Sequence, residues 1–297
     1  MTFVRFIIPN LILRPFFIAV FLVGLCVLFS IPTPAFSQSV PKDHSGRLSG
    51  SSLKGDYNIK VKRVDRCETD MELCRKQAAQ ADLDATYGLA IEQFTVLKDF
   101  QRGLETLRQS ARQGHVDSQV MLGLVLLGWD NIPPDPAAAR KWWEKAAAAG
   151  HMEALQNVGI MNYYGDGGPQ NRAKAFPMLE EAAKAGLPQA QFYTGLSFFH
   201  GHGTASNTDK AFEYLQKSAL NNYPAAQFVL GKAYLSSGDV KQGYLWIAQA
   251  AIQGDKQALQ QVMEIEANDL KSPAEIDELR AKALSMQETL KQRRKER

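Results

Sequence analysis

His200 and His202 flank a single glycine, and alternate imidazoles in a loop have the geometry to share a metal ion, with the Asp166 carboxylate as a third ligand. The glycines around them, Gly201 and Gly203, already account for the shape of that loop, and the histidines then decorate it. The pattern is therefore read without a metal, and no cofactor is implied. His115 and His151 each follow a glycine that stops a helix, where a cation suits the helix end. They need no further role. The chain carries no Gly-x-Ser-x-Gly, phosphate loop or His-Glu-x-x-His, so it reads as non-enzymatic.

Cys67 and Cys74 are the other reactive pair. On one continuous helix their Cα atoms would stand about 10.5 Å apart, beyond the roughly 7 Å that a disulfide tolerates. A bridge needs a break between them, and Thr69 with Glu72 has the spacing of a capping box that would start a helix after Cys67. The other reading is two small buried thiols. The compartment favours the bridge. Arg5 and Arg14 precede an apolar run, Phe16 to Ile31, closed by Pro32 and Pro34. Ala35-Phe36-Ser37 then offers small residues for a cut before Gln38, as in a secretory signal peptide. Residues 1–37 are read as that signal, or as an uncleaved N-terminal membrane anchor. Leu25 before Cys26 argues against a lipoprotein. Export, to a bacterial periplasm, would leave Cys67 and Cys74 where disulfides persist.

Of 297 residues, 45 % are hydrophobic and 22 % charged, the balance of a chain that buries a core. Lys and Arg total 34 against 31 Asp and Glu, and two of those arginines lie in the leader. A near-neutral body argues against nucleic acid as the main partner. Residues 38–64 are Ser-, Gly- and Lys-rich without apolar periodicity and are read as a flexible linker.

The elements that must hold these residues announce themselves by repetition. Tyr87-Gly88, Leu122-Gly123, Val158-Gly159, Thr194-Gly195 and Leu230-Gly231 recur at intervals of 35 to 36 residues. Asp99, Asp135, Asn171, Asn207 and Asp239 run in parallel as N-caps, and Gly114, Gly150, Gly186, Asn222 and Gly254 as helix stops. Small residues such as Ala139 and Ala146-Ala147 lie on one face beside a bulky one such as Trp143, which lets helices approach closely. A second helix begins four residues past each stop, at Ser118, Ala154, Ala190, Ala226 and Ala258. The spacing predicts an all-α chain: an N-terminal capping helix in 65–81, five antiparallel helix pairs in 82–257 (82–117, 118–153, 154–189, 190–225, 226–257), and C-terminal helices in 258–297. Ser272-Pro273-Ala274-Glu275 opens a long polar helix that caps the stack.

Ala190 to Gly203, AQFYTGLSFFHGHG, followed by Asn207, Lys210-Ala211 and Ser218-Ala219, resembles the unit of the Sel-one-like repeat family, a branch of the tetratricopeptide-like helical solenoids. Ala154 to Gly167 is nearly as close, although Asn162 replaces the apolar residue of the other units. The resemblance implies a right-handed superhelical solenoid that serves as an interaction scaffold, often exported or membrane-associated in bacteria.

The helices carrying the Gly pairs are apolar nearly all round, as in Val120–Leu127 and Phe192–Phe199. One strip of them, Met121, Leu124, Asn157, Ile160, Tyr164, Tyr193, Leu196 and His200, either lines a concave groove or packs between units. The groove reading makes the protein an adaptor for a protein or peptide of the cell envelope, such as a component or regulator of an envelope complex. It touches a membrane only through an uncleaved N-terminus. The alternative is a binder of peptidoglycan or another cell-wall carbohydrate, using the rings of Tyr163, Tyr164, Phe198 and Phe199. The basic tail Lys291–Arg297 reads as a solvated helix end or as a contact for acidic lipid or protein.

Overall fold

The computed structural model describes Cys67 and residues 70–129, 132–268, 270 and 272–295; the expected leader at 1–37 and linker at 38–64 lie outside the described residues. Thirteen α-helices and no strand are found among them. In order these are α1 (Met71–Ala79), α2 (Leu83–Thr95), α3 (Phe100–Arg112), α4 (Val116–Val125), α5 (Pro136–Ala148), α6 (Met152–Tyr164) and α7 (Arg172–Lys184). There follow α8 (Pro188–His200), α9 (Thr208–Leu220), α10 (Pro224–Ser236), α11 (Val240–Ile252), α12 (Lys256–Asn268) and α13 (Pro273–Lys295). From α1 to α12 each helix packs on the next, so that α2/α3, α4/α5, α6/α7, α8/α9 and α10/α11 form five hairpins stacked as a solenoid, and α13 packs back on α11. None of the helices among the described residues is long and apolar enough to cross a membrane.

Backbone chemistry sets the ends of these helices. The side chains of Asp99, Asp135, Asn171, Asn207 and Asp239 each accept a hydrogen bond from the amide three residues on, at 2.9 to 3.1 Å. The stops Gly114, Gly150, Gly186, Asn222 and Gly254 all have φ between 62° and 95°, the left-handed conformation open to Gly and tolerated by Asn.

One boundary differs from the sequence expectation. The following helices start at residues 116, 152, 188, 224 and 256, two positions earlier than 118, 154, 190, 226 and 258, because the residue after the stop is itself the cap. His115 and His151 are those caps, and their Nδ1 atoms accept from the amides of Ser118 and Ala154 at 3.3 Å. Each thus serves the start of the following helix as well as standing at the end of the preceding one, and the His115 Nε2 and His151 Nδ1 also lie 3.0 and 3.3 Å from the carboxylates of Asp84 and Glu153. Pro188 and Pro224 serve at N1, where the missing N–H costs nothing.

Hairpins close where the paired glycines let side chains in. A Cβ on Gly123 would collide with the Trp143 indole, and that indole donates to the Val120 carbonyl at 2.9 Å. A feature the periodicity did not announce is a run of glutamines: Gln119, Gln191 and Gln227 donate to the carbonyls of Ala111, Ala183 and Ala219, pinning each helix to the turn before it. The departure at Asn162 is accommodated by burial with partners, since its amide donates to the Val158 carbonyl and its oxygen accepts from Arg140 of α5.

At the N-terminal end the cap of α1 is Asp70, which accepts from the Leu73 amide. Cys67 therefore lies before the helix and Cys74 within it, with Cα atoms 5.1 Å apart and the sulfurs bonded. This bridge sits on Gly88, where a Cβ would meet the Cys67 sulfur at 2.5 Å. At the other end Ser272 caps α13, accepting from the Glu275 amide. α13 covers the last hairpin by lying along the outward face of α11: Leu279 and Ala283 share a cluster with Leu245 and Ala248. Arg280 makes a two-point ion pair with Glu266 of α12, which also accepts from the Tyr244 hydroxyl.

Candidate functional site

Helices α4, α6, α8 and α10 are enclosed by their own hairpin partner and by the hairpin before, which decides the fate of the strip expected to line a groove. Met121, Asn157, Ile160 and Leu196 are at most 2 % exposed, and Tyr193 is 6 % exposed. They pack in the core between hairpins, because these helices have neighbours on every side that their apolar perimeter demands. Leu124, Tyr164 and His200 are half-buried. Leu124 packs at the edge of the first core cluster, away from the other two. The groove reading thus survives only at Tyr164 and His200, with the Tyr193 hydroxyl behind them.

Those two do come together, in a cluster made by the ends of α6 and α8 and the start of α7. Tyr164 donates to the Tyr193 hydroxyl at 3.4 Å, and the rings of Tyr163, Tyr164 and Tyr193 pack edge-on or tilted at 5.1 to 5.8 Å. His202, which follows the left-handed Gly201, stacks on His200 at 5.0 Å. Its Nδ1 is 2.9 Å from the Tyr163 hydroxyl and its Nε2 is 3.0 Å from the Arg172 Nη1. Arg172 also lies over the Tyr163 ring.

The charge state follows from that geometry. A guanidinium only donates, so His202 Nε2 accepts, Nδ1 holds the proton, and the Tyr163 oxygen accepts it. Burial first, then Arg172 and then His200, push the His202 imidazole down to about 4. Burial and Arg172 likewise hold His200 below its ordinary value, and burial raises the hydroxyls of Tyr163 and Tyr164. At neutral pH the cluster is a set of neutral hydrogen-bonding rings around one fixed cation.

The same geometry opposes a metal on His200, His202 and Asp166. Both nitrogens of His202 are engaged, and the Arg172 guanidinium stands where a second cation would be repelled. Among the described residues no three His, Cys, Asp or Glu side chains are grouped to hold an ion. The ring platform expected for a polysaccharide is also largely closed. Tyr163 and Phe198 are each 5 % exposed, and Phe198 is stacked against Tyr214, leaving Tyr164 and Phe199 half-exposed. Arg172 had no signal in the sequence, since it follows an N-cap where any residue serves.

A family profile described as Sel1 repeat matches residues 84–115, 116–151, 153–187, 188–223 and 224–255, one for each hairpin. Among solved structures, the chain is similar to a protective antigen of uropathogenic Escherichia coli with an SLR fold, at 24 % identity and a TM-score of 0.62. The match covers 74 % of this chain and 48 % of the antigen, so the chain spans about half the antigen's length. It is similar also to a Sel1 repeat protein from Oxalobacter formigenes, at 21 % identity and a TM-score of 0.63, covering 80 % of this chain and 94 % of that one. At these identities the likeness concerns the fold. No curated protein matches the chain in sequence.

Proposed function

Because the chain belongs to the Sel1 repeat family, whose members typically mediate protein–protein interaction, we propose that it is an exported, non-enzymatic scaffold. In this reading it holds a protein or peptide partner of the bacterial cell envelope, as a component or regulator of an envelope complex. The observation that carries the reading is the cluster at the ends of α6 and α8. Tyr164, Arg172 and His200 are half-buried and bring hydroxyl, guanidinium and imidazole groups to one surface, with His202 engaged behind them by Tyr163 and Arg172. Such a surface suits hydrogen-bonding groups, and tyrosine and arginine are among the residues enriched at the positions that dominate binding energy at interfaces. Export rests on the leader and on the Cys67–Cys74 pair, whose bridge suits an oxidising compartment.

The test is affinity capture from envelope extract by the purified mature chain. A single partner should be retained stoichiometrically, and the Tyr164→Ala/His200→Ala double variant should lose it while keeping its helix content. Retention on purified cell-wall polymer with no protein partner would overturn the proposal in favour of a carbohydrate binder.

A further inference from the structure

The outer helix of each hairpin turns one face to solvent, except in α11. At six, nine and ten residues past the N-cap, α11 has Leu245, Ala248 and Gln249, all at most 6 % exposed. The corresponding positions elsewhere include Glu105, Lys141, Pro177 and Glu213, all exposed. The difference is α13, which lies on that face of α11. Leu279 and Ala283 pack with Leu245 and Ala248, Met286 packs against the cluster that contains Trp246, and Gln249 Nε2 donates to the Ala283 carbonyl at 2.7 Å. The fold thus contains one worked example of an amphipathic helix seated on an outer helix.

A second seat of the same register is open. Trp142 on α5 stands seven residues after Asp135, just as Trp246 stands seven after Asp239, whereas Thr106, Met178 and Tyr214 hold that place in the other hairpins. A shallow depression surrounds it, lined by Ala138, Lys141, Trp142, Glu144, Lys145 and Ala148. Four of its six lining positions correspond to buried positions on α11, Lys141 to Leu245, Trp142 to Trp246, Glu144 to Ala248 and Lys145 to Gln249, while Ala138 and Ala148 correspond to Gln242 and Ile252, which stay exposed. The fringe is cationic in effect. Glu144 is held by Arg140 at 3.1 Å, while Lys145 lies over the Trp142 ring at 4.2 Å and neither lysine is in an ion pair among the described residues. α13 carries six basic side chains against four acidic ones, so a second copy of it would bring a net positive charge to a site fringed by lysines.

We propose that the face of α5 around Trp142 is a docking seat for an amphipathic helix of a partner protein, with an apolar stripe on Trp142 and acidic flanks against Lys141 and Lys145. This surface is separate from the Tyr164 cluster and goes beyond the function proposed above. Two synthetic helical peptides test it. Both carry the apolar spacing of Leu279, Ala283, Met286 and Leu290, one with flanking glutamates and one with flanking lysines, and anisotropy measures their binding to the folded chain. The glutamate peptide should bind saturably, and Trp142→Ala should weaken it by about tenfold or more. The exposed double variant Lys141→Glu/Lys145→Glu, which touches no core residue, should reverse the preference toward the lysine peptide. Equal binding of the two peptides, no loss in the charge-reversed variant, or dimerisation of the chain through Trp142 would each overturn the proposal.

Discussion

Asn157 is fully buried on α6, and neither atom of its amide finds a hydrogen-bond partner. Met121, Tyr193 and Val229 fill the same place in neighbouring hairpins and are buried as well. A stranded amide in such a site costs about 1–3 kcal/mol. Asn157→Leu should therefore raise the unfolding free energy by an amount in that range, as measured by urea denaturation. A loss of stability instead would mean that a water or a partner group satisfies the amide. This residue also shows where sequence reasoning stops. A polar side chain on an apolar helix looks like a groove residue, but whether a helix face is covered depends on the next hairpin, which lies 36 residues away in sequence and directly against it in space. Leu196 and Ile160 were ambiguous for the same reason.

The helix ends were the most legible elements, because caps and stops answer to local backbone chemistry: an oxygen near free amides, and a residue that accepts positive φ. Histidine caps were less legible, since an imidazole serves either as an acceptor or as a cation and only the contact distinguishes them. The seat of α13 left a readable trace in Leu245 and Ala248, apolar residues where the other outer helices carry charge at six of eight places, yet nothing local connects them to Leu279 thirty-four residues on. Because solenoid hairpins interact mainly with their neighbours, undocking α13 should be felt locally. Leu279→Asp places a charge on a side chain that is 4 % exposed. Hydrogen exchange should then speed up in α11 and α12 while α2 to α6 keep their protection. Uniform loss across all five hairpins would contradict a strap that acts on the last one.

For the whole molecule, five hairpins stack through successive core clusters, with a disulfide-pinned helix at one end. At the other end α13 leaves Leu259 and Met263 of α12 exposed. The charge balance of the whole chain is nearly neutral, so selectivity for a partner is expected from short-range contacts at half-buried groups. The repeat period made the architecture readable, whereas the site lies where two hairpins and a loop meet, and its key cation, Arg172, carries no pattern of its own. The central claim is that the ends of α6 and α8 hold a protein partner. It is tested most directly by photo-crosslinking in intact cells, with the reactive side chain placed at Tyr164, at His200, or at the exposed Glu213 of α9 as a control. One dominant protein adduct should form from the first two positions and none from the third. The same adducts from all three positions, or no protein adduct from Tyr164 and His200 in a folded chain, would contradict it.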